Sequence, residues 1–128
     1  MIKINLTNAA PVALTCKRGD TFIFDGLDFW SDTAETIPID ISADDFKMEV
    51  KDEADAIILT FVSPTNFTVS GTGDNHLKIT MPATDMEVAA SPNGQPYKFD
   101  LQWTDSTNIV RTVMKGTFTI ENDVTDNA

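Results

Sequence analysis

The chain has 128 residues, a size that fits one domain, because two separate cores at this length would each be marginal. Hydrophobic residues at 41% and charged residues at 23% are ordinary globular values, which excludes wholesale disorder and a fibrous repeat. With 20 acidic against 9 basic side chains the net charge is −11, which disfavours both a nucleic acid and an anionic membrane as partner.

Residues 1–7 alternate apolar and polar and place Ile2, Ile4 and Leu6 on one face. They contain no continuous apolar stretch of the kind a signal peptide needs. No later run approaches the roughly 18 apolar residues of a spanning helix. Phe22 and Phe24 share a face of the next clear strand, and Phe29-Trp30 falls in the loop after it. Phe46, Met48 and Val50 then alternate with Lys47, Glu49 and Lys51. Ile57, Leu59 and Phe61 follow, then Phe67 with Val69, then Leu77, Ile79 and Met81. Thr84 with Glu87 three residues later has the form of a capping box and predicts a short helical turn near residues 84–90, closed by Ser91-Pro92-Asn93-Gly94. Tyr97, Phe99, Leu101 and Trp103 face inward on the following strand, with Lys98, Asp100, Gln102 and Thr104 outward. The hairpin Asp105-Ser106-Thr107-Asn108 leads to a last strand with Val110, Met114, Phe118 and Ile120 on its core face and Arg111, Lys115, Thr117, Thr119 and Glu121 opposite. Gly116 interrupts that strand, as at a bulge or a close backbone approach.

Eight or so short strands with one polar face each predict an all-β fold, a single antiparallel β-sandwich with one helical crossover. It fills residues 1–125, and residues 126–128 are a frayed tail. Tyr97, two residues before inward-facing Phe99 and just after the crossover, is either the corner tyrosine of an immunoglobulin-like sandwich or a core tyrosine with its hydroxyl at the rim. With Cys16 as the only cysteine, an internal disulfide is excluded, so the expected topology is immunoglobulin-like without its bridge.

No catalytic, cofactor or metal set emerges. His76 is the only histidine, and a Ser-His-Asp or Cys-His site would have to use it at the head of a strand. One cysteine and one histidine cannot supply the four ligands of a zinc site. Asp25, Asp28 and Asp32 crowd one loop and Asp40, Asp44 and Asp45 the next, but without the ordered spacing of a calcium loop they read as a solvated rim. Arg18-Gly19-Asp20 matches an integrin-binding tripeptide and equally an ordinary turn. Phe29 and Trp30 are the candidate partner-binding residues: the pair either plugs the end of the sandwich or anchors a partner.

From Lys17 onward a pattern accumulates. Lys17-Arg18-Gly19-Asp20-Thr21-Phe22 is followed by Lys47-Met48-Glu49-Val50, then by Tyr97-Lys98-Phe99-Asp100-Leu101-Gln102. Gly116-Thr117-Phe118-Thr119-Ile120 and Asp123-Val124-Thr125 complete it. Over residues 15–125 the chain resembles the N-terminal domain of tailed-phage upper baseplate proteins. That resemblance implies a non-enzymatic virion structural protein, an adaptor in tail or baseplate assembly that contacts other virion proteins and its own copies. It would be made in the bacterial host cytoplasm and end in the virion tail. The family plan continues into receptor-binding parts, and with no helical stalk or fibre expected after this sandwich the resemblance leaves two alternatives, a stand-alone structural protein or one that docks partners through its own edges. A carbohydrate- or host-surface-binding module built on Trp30 and the acidic loops is the alternative.

Overall fold

The computed structural model describes residues 2–4 (backbone), 9–31, 34, 36–91 and 95–122. The side chains of Ile2 and Ile4, together with Leu6, Asp32, the turn at residues 92–94 and the exit at 123–128, lie outside that description. Among the described residues, nine strands run in the order β1 (Ile2–Ile4), β2 (Ala10–Lys17), β3 (Phe22–Phe29), β4 (Asp45–Lys51), β5 (Ile57–Val62), β6 (Phe67–Ser70), β7 (His76–Met81), β8 (Tyr97–Thr104) and β9 (Val110–Glu121). They form a four-stranded sheet, β1-β3-β7-β6, and a five-stranded sheet, β2-β9-β8-β4-β5. Lettered in immunoglobulin fashion, the first is A-B-E-D, while β4, β8 and β9 occupy C, F and G of the second.

The sheets are mixed and not purely antiparallel. β1 pairs β3 and β2 pairs β9 in parallel. Both parallel partners are N-terminal strands laid along a sheet edge, where no tight hairpin dictates direction.

The inner faces of the two sheets share one core. Leu27, Phe29, Leu77 and Ile79 come from one sheet and Met48, Phe61, Leu101, Met114 and Phe118 from the other, all fully buried. Phe22 of the four-stranded sheet crosses to Phe118 and Phe61 of the five-stranded sheet at centroid distances of 5.2 and 5.6 Å, while Phe61 and Phe99 flank Phe118 within their own sheet at 6.4 and 6.2 Å. A Cβ on Gly116 would lie 1.9 Å from the Val12 carbonyl oxygen, so the close approach expected there is the packing of β2 against β9.

Three bulges correct the expected faces. In β3 the pairing steps from Asp25–Lys78 to Leu27–Leu77, so Gly26 is extra and the strand continues to Phe29. In β5 the pairing steps from Leu59–Val50 to Ile57–Lys51, which leaves Ile57 55% exposed on the outer face. In β9 Val113 is extra between the partners of Leu101 and Gln102, so Val113 and Met114 are both buried. Upstream of it the phase inverts: Val110 faces solvent, while Arg111 turns inward over the Trp103 ring at 5.3 Å.

The helical turn is shorter than expected, a 3-10 turn at Ala83–Met86. Pro82 occupies the capping position, and the Thr84–Glu87 capping box does not form. Beyond the turn, the Tyr97 hydroxyl donates to the carbonyls of Ala89 and Ala90 at 2.9 and 3.0 Å. A strand-F tyrosine bonded to backbone just upstream is the tyrosine corner, and it decides between the two readings of Tyr97.

Candidate functional site

The expected aromatic anchor divides. Phe29 is completely buried, stacked edge-on against Phe46 and Trp103 at 5.7 and 5.2 Å, so its side chain cannot meet a partner. The Gly26 bulge causes this by turning Phe29 inward with Leu27. Trp30 is half-buried and bridges Pro38 across its loop. That loop is stitched to the β6–β7 turn, where the Ile41 amide donates to Asp74 and the Asn75 side-chain amide to Phe29. Trp103 is buried as expected, and its indole N–H donates to Asp44 at 2.8 Å.

The acidic groups expected in two loops do not, among the described residues, meet at one site. Asp25 and Asp28 lie within β3, Asp44 holds Trp103, Asp45 opens β4 and Asp40 caps Ser42 through its amide and hydroxyl. Those two bonds hold the Asp40 carboxyl below the usual range. Arg18 of the Arg-Gly-Asp tripeptide is tied down, its Nε donating to the Val88 carbonyl at 3.1 Å. Cys16 is half-buried, and burial, with Glu121 and Asp20 nearby, pushes its thiol up to about 11. A thiol that stays protonated is a poor nucleophile.

His76 lies between two carboxylates, with Nδ1 2.8 Å from Asp28 and Nε2 2.5 Å from Asp25. The Gly26 bulge makes this possible: it places Asp25 and Asp28, three residues apart, on the same outer face opposite β7. A doubly protonated ring donates to both, so the hydrogen bonds it makes to Asp28, and then to Asp25, raise its pKa. With each ring nitrogen committed to a carboxylate, neither is left to activate a nucleophile. Sequence spacing concealed the cluster because its members are 48 and 51 residues apart.

The most unusual surface is the outer face of the five-stranded sheet. Register places Glu49 directly opposite Asp100, and Lys51 directly opposite Lys98, on β4 and β8. Like charges facing each other across strands are unfavourable. They are partly relieved by neighbours: Lys47 and Lys51 each reach Glu49 at 4.0 Å, and Lys98 meets Asp55 of the β4–β5 turn at 2.5 Å. A groove of about 530 Å³ lies over these rows, walled also by Pro11 and Lys115. Among the described residues, Lys17, Lys47, Lys51, Lys98 and Lys115 stand on this face against Asp45, Glu49, Asp100 and Glu121, with Asp55 reaching the groove from the β4–β5 turn. In a chain with 20 acidic and 9 basic residues this is a face of nearly balanced charge.

Comparison of the chain with protein-family models and with curated proteins finds no match.

Proposed function

We propose that the chain is a non-enzymatic structural unit of a phage or prophage virion, an adaptor used in tail or baseplate assembly. One observation supports this reading above others: three of the segments that resemble the tail family are neighbours in one sheet of the sandwich. Residues 47–50, 97–102 and 116–120 lie on β4, β8 and β9, which are adjacent strands of one sheet. Gly19-Asp20-Thr21 forms the turn leading from β2 into β3. Met48, Val50, Leu101, Phe118 and Ile120 are core residues, and Tyr97 is the corner. The shared pattern thus describes a scaffold, and the chemistry left for function is that of surfaces.

Such a unit works by repetition: many copies offer one face to a ring or tube, and weak contacts add through multivalency. Its partners would be other virion proteins, met after synthesis in the bacterial host cytoplasm. The test is co-expression with the products of neighbouring genes, followed by affinity purification. A stoichiometric complex with a tail component is expected. Absence of any such complex, with selective binding on a glycan array, would replace this reading by the carbohydrate- or host-surface module. The structure gives that module little: with Phe29 and Trp103 buried, Trp30 is the remaining aromatic of the group.

A further inference from the structure

We infer that two copies of this chain associate face to face through the outer surface of the five-stranded sheet, about a two-fold axis lying across the strands between the Glu49–Asp100 row and the Lys51–Lys98 row. The rows are two residues apart along β4 and β8, about 7 Å. Rotation about an axis midway between them lays the acidic row of each copy over the basic row of the other. Glu49 then meets Lys51 of the second copy, Asp100 meets its Lys98, and the symmetry repeats both pairs. Charges that repel within one sheet become complementary between two sheets.

Four further features fit this occupant. In the remaining described surface only Arg18, Lys78 and Arg111 offset many carboxylates, so two copies repel each other through most other approaches. Exposed Ile57, Val62 and Val110 lie on the same outer face, giving it apolar area beside the charges. The central groove leaves room for the long lysine side chains of the opposing copy. Five strands present roughly 24 by 20 Å, the footprint of a small interface.

The test is a charge exchange read by sedimentation velocity in about 0.15 M NaCl, over a concentration series into the hundreds of micromolar. Wild type is expected to shift from monomer to dimer. Lys51→Glu/Lys98→Glu leaves both rows acidic, and Glu49→Lys/Asp100→Lys leaves both basic, so each variant alone is expected to stay monomeric. Their equimolar mixture is expected to form a one-to-one heterodimer, because every facing row is then opposite in sign. A wild type that stays monomeric throughout overturns the inference. So does a less acidic Glu49→Lys/Asp100→Lys chain that dimerises more readily than wild type, since net charge alone would then govern association. If a double variant loses its folded circular-dichroism spectrum, Lys98→Glu and Asp100→Lys singly carry the same comparison.

Discussion

His76 is the residue whose environment makes the most direct statement about pH. Its folded-state pKa is raised by Asp28 and Asp25 above the ordinary value near 6.5. The protonated ring binds its carboxylates only in the folded chain, so its stabilisation is complete below that ordinary value. The contribution is then lost as pH rises through the folded-state pKa. As His76 is the only histidine, its Cε1 proton gives an unambiguous imidazole resonance to titrate by NMR. The midpoint is expected above 6.5 and should move down in Asp28→Asn. A midpoint at the unperturbed value would show that the two carboxylates do not hold the ring in solution. Tyr97 makes a second residue-scale claim. Tyr97→Phe keeps the ring in the core but removes the donor to Ala89 and Ala90, which should cost about 1–2 kcal/mol in urea unfolding. A cost near zero would mean that water replaces the hydroxyl freely at this corner.

At the scale of elements, two hairpin loops use the same device. Asp52 accepts from the amides of Ala54 and Ala56, and Asp105 from those of Thr107 and Ile109. In each loop the residue three after the aspartate, Asp55 or Asn108, has positive φ, at 64° and 65°. Asparagine tolerates that conformation and alanine does not. Asn108→Ala is therefore expected to lower stability by about 1 kcal/mol, while Asn108→Gly should be neutral or stabilising. Equal losses in both variants would shift the role of Asn108 from its backbone to its side chain. The turn chemistry was legible in the sequence, as were β4, β7 and β8, whose period-two alternation runs unbroken. What period two cannot carry is a single inserted residue. Gly26, Ile58 and Val113 each break the phase; for that one reason period two assigns Ile57 and Val110 to the core face and ends β3 before Phe29, which reads as a loop residue. The charge rows were hidden differently. Glu49 and Asp100 alternate correctly on their own strands, but only the register between β4 and β8 sets them opposite each other.

For the whole molecule the governing quantity is the net charge of −11 on a folded chain of 128 residues. Compaction brings those carboxylates together, so self-repulsion opposes folding, and dissolved salt should relieve it. The Debye length falls from about 30 Å at 0.01 M to about 8 Å at 0.15 M, which takes it from domain-wide to local range. Short-range pairs such as Asp105 with Arg111, at 2.8 Å, lose less than the long-range repulsion does. The melting temperature is therefore expected to rise with NaCl over that interval. Sodium chloride is the appropriate salt, because sulfate or phosphate would also strengthen apolar burial. Dimerisation would raise the melting temperature too, through mass action, and it depends on protein concentration where self-repulsion does not. The Lys51→Glu/Lys98→Glu chain separates the two: it carries more negative charge and lacks the proposed interface. Its melting temperature should climb more steeply with salt than that of wild type, and should not depend on protein concentration. A flat salt response in both chains would mean that the acidic loops are spaced widely enough for water alone to screen them, and net charge would then be irrelevant to the stability of this fold.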